Sequence, residues 1–313
     1  MKTAIALITA ALLSASALAA PAEGAPVGEC EGVQVATGPK GKGYSLLFAD
    51  IKKLCGTKVN LCEVNTTGGL DNLNNLSTKE ADVGFAQLDT YNDMKVGDEN
   101  IAGLQGVAGL NYNYLHIVAA TAGYNVTAEK RMAGIKYGSD TQAIVITRFN
   151  DLRGKTVALV GSAQLLGRRL DKQLGLGMQF KDVKDDASAF ELVKKGQVAA
   201  AFTVSGWPSG AVKTLTPDSG LTLVPFDGMV GDPYKIKSLN YKNLAVYNVN
   251  SLGIPNVLFT RQFTGARANN IAALQSCIAA NLGEFKEGNY QPAWNEVKPG
   301  DVSGVPMFKK SGK

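Results

Sequence analysis

The 313-residue sequence predicts an α/β fold of two lobes, and three observations carry that expectation. Short apolar runs of strand length alternate with helical patterns, as in strand–helix–strand units on a mainly parallel sheet. The stretch Leu61–Met94 shows one unit in full. A strand-like run from Asn60 to Asn65 meets the turn Thr66-Thr67-Gly68-Gly69, Leu70, Leu73 and Leu76 follow at helical spacing, and a buried run from Ala81 to Ala86 stops at Gln87 before a new helix near Asp89. The third observation is an echo: LVKKGQVAAAFTVSGWP repeats the helix, short turn, buried strand and polar exit of LSTKEADVGFAQLD. In open α/β sheets ligands collect outside the carboxyl ends of strands, where helix N-termini offer free N–H groups and partial positive charge. A chain of this length holds two domains of about 150 residues.

Residues 1–19 read as a secretory signal peptide: Lys2, an apolar run from Ala4 to Leu13 too short to span a bilayer, and Ala17-Leu18-Ala19 as the cleavage site. The expectation is an exported, periplasmic chain, and with no cysteine at the cleavage point a lipid anchor is not expected. The formal net charge is +5, or +4 once Lys2 leaves. Lysines are interspersed with acids rather than gathered into a basic run, which argues against a nucleic-acid partner.

In an oxidising compartment Cys30, Cys55, Cys62 and Cys277 point to disulfides. Without C-x-x-C units and with a single histidine, neither a metal nor a cofactor is expected. Three connectivities are open. Cys30 precedes the first strand and Cys55 ends the first helix, so both belong at one edge of the sheet, and a C-terminal helix bearing Cys277 would cover Cys62. Cys30–Cys55 with Cys62–Cys277 is the favoured pairing; Cys55–Cys62 and free buried thiols stay open.

Taken in order, Val33 to Thr37 reads as the first strand, followed by a Gly-rich turn, Gly38 to Gly43, and a helix with Leu46, Leu47, Phe48, Ile51 and Leu54. Gly38 and Gly43 have the Walker spacing, but Tyr44-Ser45 stands where Lys-Ser/Thr is required, so a nucleotide loop is excluded. Tyr112 to Thr121 is a strand whose His116 reads as a structural residue before a ligand or proton carrier. The segment around Lys130, Met132 and Lys136 is weakly patterned; Gln142 to Arg148 and Thr156 to Val160 read as strands. The latter ends in Gly161-Ser162-Ala163-Gln164, ahead of a helix with Leu165, Leu166 and Leu170. Ser162 serves as N-cap or as ligand contact, and Arg168 or Arg169 clamps a carboxylate or faces solvent. Phe180 to Val183 is a short strand and Ala187 to Lys195 a helix. A strand from Gln197 to Val204 leads to Trp207, which lines a cleft or packs. A strand from Asn256 to Thr260 precedes one amphipathic helix, Ile271 to Phe285.

The order of these pieces resembles the TAXI family of solute-binding proteins, which serve tripartite (TRAP) transporters. Thr37, Gly38, Gly41 and Tyr44 match its Gly/Thr-rich loop followed by Tyr. Thr66 to Leu73, reading T-T-G-G-L-D-N-L, is similar to its T-G-G-S-x-E-N-L turn; Asn72 and Leu73 match, while Gly69 stands at the family's Ser, so that hydroxyl is missing or Thr67 replaces it. Lys79 to Gln87 is similar to G-E-A-D-L-A-F-V-Q, and GKTVALVGSAQ to G-K-x-V-x-x-G-x-x-G-S-G with its later glycines altered. SLGIPNVLFTRQ through NLGEFKEG is similar to the family's return segment.

The resemblance implies a type II-like periplasmic-binding-protein fold with a ligand cleft between lobes: lobe 1 at residues 28–120 and 225–313, lobe 2 at 121–224, joined by crossing strands. It implies a monomer that closes on a small carboxylate-bearing solute, an amino acid or organic acid, and delivers it to membrane permease subunits. The candidate ligand contacts are Thr37, Gly38, Tyr44, Thr67, Gly68, Gly69, Gln87, Asp89, Ser162, Gln164 and Trp207, with helix-start N–H groups on anionic oxygens and Tyr44, Gln87 and Gln164 fixing orientation. A sensor docking on a membrane receptor would use the same fold. An exported hydrolase would need a catalytic constellation. G-x-S-x-G and H-E-x-x-H are absent, and a carboxylate pair such as Asp71 and Asp89 reads first as ordinary helix-end chemistry, so no catalytic residue and no enzyme is expected.

Overall fold

The computed structural model describes residues 30–310, and the signal-peptide expectation at 1–19 lies outside the described residues. The chain runs β1 (Val33–Gly38), α1 (Gly43–Cys55), β2 (Leu61–Asn65), α2 (Gly69–Thr78), β3 (Val83–Gln87), α3 (Leu88–Met94), α4 (Glu99–Ala102) and β4 (Gln105–Ala120). A ribbon of β5 (Tyr124–Met132) and β6 (Ile135–Ile144) follows. Then come β7 (Thr156–Val160), α5 (Ala163–Leu174), β8 (Gln179–Val183), α6 (Asp186–Lys194), β9 (Ala200–Ser205), α7 (Gly210–Lys213) and β10 (Leu221–Val224). The chain closes with β11 (Lys235–Tyr241), β12 (Val246–Thr260), α8 (Gly265–Ala280) and α9 (Leu282–Glu287).

Two long antiparallel strands, β4 and β12, hold the architecture together. In the first half the sheet order is β2-β1-β3-β12-β4; in the second it is β8-β7-β9-β4-β10. Each half thus repeats one plan: three parallel strands, one antiparallel strand arriving from the other half, and a further strand. The two halves make the two-lobed α/β fold that the sequence predicts. Pro255 lies inside β12, where its missing N–H costs no ladder bond because the register against β4 shifts between Pro255 and Val257.

Both faces of each half are buried, which is why the strands read as continuous apolar runs. In the first half Val33, Val35, Phe48, Ile51, Phe85, Ile271 and Leu274 pack together on one face. Ala36, Leu73, Leu76, Tyr91 and Phe259 pack on the other. In the second half Leu115, Phe149, Leu159, Leu166 and Phe202 oppose Tyr114, Val118, Phe190, Ala201 and Tyr241. Among the described residues no helix is long and apolar enough to cross a membrane.

Several expectations change. The weakly patterned segment around Lys130 and Met132 is the β5–β6 ribbon, paired with no other strand; its alternation is masked because almost every residue on it is exposed. The strand foreseen from Gln142 to Arg148 ends at Ile144. The single helix from Ile271 to Phe285 breaks at Asn281, whose Nδ2 donates to the Cys277 carbonyl at 2.8 Å. Leu70, placed on the apolar face of α2, is 52% exposed.

The disulfide pairing is corrected. Cys55 is bonded to Cys277, with Cα atoms 5.9 Å apart, so neither Cys30–Cys55 nor Cys62–Cys277 holds. The reason is packing: Leu47 and Ile51 of α1 share a core with Ile271, Leu274 and Ile278, which sets α8 beside the end of α1 and not over β2. Cys62 is also disulfide-bonded, and no described cysteine is free.

Candidate functional site

In the first lobe the chain passes from β1, β2 and β3 into α1, α2 and α3 at the carboxyl edge of the sheet, and in the second it passes from β7 into α5. The helices α1, α2 and α5 begin there without a side-chain cap, whereas α4, α6 and α7 are capped by Asp98, Asp185 and Ser209. Apart from the Gln164 N–H, which donates to the Gly161 carbonyl at 3.0 Å, the first-turn N–H groups at these exits are left to solvent or to a bound anion.

Tyr44 is the centre of a buried polar cluster. Its hydroxyl donates to Asn256 Oδ1 at 2.8 Å and accepts from Asn113 Nδ2 at 3.5 Å. Asn256 Nδ2 donates to Asn111 Oδ1 at 3.4 Å. The Tyr44 ring stacks on Phe85, centroids 5.3 Å apart. Burial, reinforced by the Asp89 carboxylate, pushes the Tyr44 hydroxyl well above the usual tyrosine range, so it stays a neutral donor. The cluster sits on the crossing strands β4 and β12, and Asn256 is also paired in register with Gln87 of β3. Gln87 is 5% exposed, and its side chain makes no hydrogen bond among the described residues.

The β1 and β2 exits are knit into one turn. Thr37 is fully buried; its hydroxyl donates to Glu63 Oε1 at 2.9 Å and accepts from Asn65 Nδ2 at 3.3 Å. Gly38 and Gly68 both have positive φ, +107° and +141°, a backbone conformation that side-chain-bearing residues rarely adopt; space is not the constraint, since a Cβ on Gly38 would make ordinary contact with the Gly68 Cα at 3.4 Å. The Thr67 hydroxyl donates to the Asp71 carboxylate, which leaves its lone pairs as acceptors beside Gly69. Gly69 itself packs toward Ala86.

Asp89, 4% exposed in the first turn of α3, faces α5 of the other lobe. Arg169 Nη1 lies 2.9 Å from its carboxylate, and Tyr234 Oη donates to it at 3.4 Å. Burial raises the Asp89 pKa, and Arg169 acts in the opposite direction. Arg169 also bonds Asp93. Its neighbour Arg168 is spent on Asp182, at 2.8 and 2.9 Å, on the outer surface.

Ser162 is a correction: its backbone is already helical, φ −65° and ψ −13°, and its hydroxyl caps nothing. A residue in that conformation cannot aim its side chain at the N–H groups it precedes. The Gln164 side chain makes no hydrogen bond among the described residues, while its carbonyl accepts from Arg168 at 2.9 Å. Along β4, Tyr112 and Tyr114 share one face and Asn111 and Asn113 the other. Trp207 lies with Tyr114 under Lys237, whose Nζ is 5.1 Å from the indole centroid. The Trp207 Nε1 and the Ser205 Oγ are buried without a partner. Asp71 and Asp89 each have their own partners, Thr67 and Arg169, and form no shared acid pair. His116 is structural as expected: Nε2 meets Tyr241 Oη at 2.7 Å, and burial lowers its pKa to about 4.

Asn111, Asn113 and Asn256 escaped sequence reading although a signal was present. GLNYNYLHIV and GIPNVLF are buried strands interrupted by amides, and an amide in a buried strand must find a partner. Tyr234 offered no comparable signal.

The NMT1-like family matches residues 35–266 of the chain. Among solved structures, the chain is similar to a substrate-binding protein of an amino acid ABC transporter at 11% identity and TM-score 0.49, covering 82% of this chain and 96% of that one. It is similar to an arginine-bound amino acid ABC transporter substrate-binding protein from Streptococcus pneumoniae at 11% identity and TM-score 0.48, covering 84% and 94%. A histidine kinase sensor domain with similarity to periplasmic binding proteins matches at 12% identity and TM-score 0.47, covering 89% and 98%.

Proposed function

The chain belongs to the NMT1-like family, and we propose that it is the solute-binding subunit of a TAXI-type TRAP transporter, capturing a small carboxylate-bearing solute in the cleft between its lobes. The observation that carries this reading is the pairing of three uncapped helix starts, on α1, α2 and α5, with an uncharged amide and tyrosine cluster at the same edge. Helix starts favour an anionic head group, and Tyr44, Gln87 and the asparagines offer oriented donors and acceptors to the rest of a polar solute. Gly38, Gly68 and Gly69 bring backbone close without side-chain obstruction, and Gln164 adds an unpaired amide from the second lobe. Closure on the solute shifts the open–closed balance, and periplasm-facing permease subunits read the closed form.

The role is binding and not catalysis, because the acids at the cleft are committed to Arg169 and Thr67 and the one histidine is buried away from it. Native mass spectrometry of freshly purified protein, followed by a thermal-shift screen of amino and organic acids, tests the reading. One carboxylate should stabilise the protein, and Gln87→Ala should abolish most of that gain. A neutral solute in the native spectrum, or a screen with no responder, would refute the carboxylate assignment. Transport assays with candidate TRAP membrane subunits test the partner.

A further inference from the structure

The geometry points to a latch: we propose that Arg169, gripping Asp89 and Asp93 across the cleft, holds the two lobes closed before any solute enters. Asp89 and Asp93 are four residues apart on α3, so both carboxylates stand on one helix face. That helix is anchored in the first lobe through Leu88 and Tyr91. Arg169 lies on α5, whose Leu166 and Leu170 are buried in the second-lobe core. The guanidinium divides its donors among four acceptors. Nη1 pairs with the Asp89 carboxylate at 2.9 Å and donates to Tyr234 Oη at 2.8 Å; Nη2 donates to the Asp89 carbonyl at 3.0 Å and pairs with Asp93. Three of the four acceptors belong to α3.

Burial distinguishes this contact from a surface ion pair. The side chains of Arg169 and Asp89 are 20% and 5% exposed, so salt screens the pair poorly and removal of one partner strands a buried charge. Opening the cleft parts α3 from α5 and would wet Asp89, Arg169 and Tyr234 together. The latch therefore favours the closed form without a ligand, and a solute has less closing free energy to supply. It also explains why the arginine beside the second-lobe helix start is no idle anion site: its donors are already occupied by the first lobe. The latch itself stands on this geometry; only its effect on solute affinity rests on the solute-binding reading.

Double electron–electron resonance on the solute-free chain tests it. Spin labels go on Val96→Cys, beyond the end of α3, and Gln173→Cys, on α5, both exposed; the described native cysteines are bonded and take no label. The labelled parent should give one dominant short distance. Arg169→Met should move the main peak to longer distance and lower the closed-to-open ratio by about tenfold or more, with Arg169→Lys intermediate. Should Arg169→Met fail to fold, Asp93→Asn, which removes the half-exposed arm, decides: a longer-distance population supports the latch and an unchanged distribution overturns it. An Arg169→Met distribution identical to the parent's also overturns it. A solute screen without responders leaves these distances untouched, so the latch and the solute-binding reading fail separately.

Discussion

Tyr44 and Asn256, 212 residues apart in sequence, meet in a 2.8 Å hydrogen bond that ties the first strand–helix exit to a crossing strand of the hinge. Asn256 is 1% exposed, so its carbonyl oxygen depends on this donor. Tyr44→Phe keeps the ring on Phe85 and deletes only the hydroxyl. The expected cost is about 1–3 kcal/mol, the penalty for leaving a buried acceptor unpaired, measured as a lower urea midpoint at unchanged slope. Solute binding in calorimetry should weaken in parallel, because the same hydroxyl orients the amide cluster. An unchanged midpoint would sink the structural role assigned to this bond.

The bond between Cys55 and Cys277 closes a loop of 222 residues and joins α1 to α8. Peptide mapping without reduction should recover a fragment joining Cys55 to Cys277. The double variant Cys55→Ser/Cys277→Ser should lose about 2–4 kcal/mol of stability, chiefly by freeing the unfolded chain. A Cys30–Cys55 fragment in the map would contradict the pairing.

What was legible in the sequence follows from locality. The existence and type of β3, α2 and α5 were legible because their period, breakers and length are local signals, although β3 starts at Val83 and not Ala81 and the sequence reading set no end for α5. The repeat of one plan in two halves was also legible, since each half carries its own strand–helix–strand pattern. The pairings were not. Which helix covers Cys55 depends on how α8 packs after the chain returns through β12, and no local pattern encodes that. The Asn111–Asn256 and Asp89–Arg169 contacts join residues 145 and 80 positions apart in sequence. Polar residues at a cleft are positioned by the fold, so the sequence showed amides in buried strands without showing their partners.

Gly69 departs from the serine that the resembled family carries, and packing does not enforce the departure. A Cβ there would sit 3.4 Å from the Ala86 Cα, an ordinary contact, and Gly69 needs no left-handed backbone. Gly69→Ser should therefore fold with stability within about 0.5 kcal/mol of the parent. The new hydroxyl stands at the first residue of α2, beside the helix-start N–H groups. Its expected effect is on solute preference, with a hydrogen-bonding solute gaining about 0.5–1.5 kcal/mol, read by calorimetry over a panel of amino and organic acids. An identical panel for parent and variant would mean that the hydroxyl has no ligand to meet.

His116 makes stability depend on pH with a predictable sign. Burial holds its pKa near 4 in the folded chain, against 6.5 for the free side chain, and its Nε2 is engaged with Tyr241 Oη while Nδ1 is buried without a partner. Below pH 6.5 the unfolded chain takes up a proton that the folded chain refuses. Stability is therefore lost progressively as pH falls from 6.5 to about 4, and the loss levels off once the folded form is protonated too. The difference corresponds to about 3 kcal/mol at most. Asp89, whose pKa is raised by burial, acts in the opposite sense, since protonation relieves its desolvation. The His116 contribution is isolated by comparing the parent with His116→Gln, whose amide can still accept from Tyr241. Urea midpoints between pH 7 and 4 should fall more steeply in the parent than in the variant; parallel profiles would show that His116 titrates normally in the folded chain.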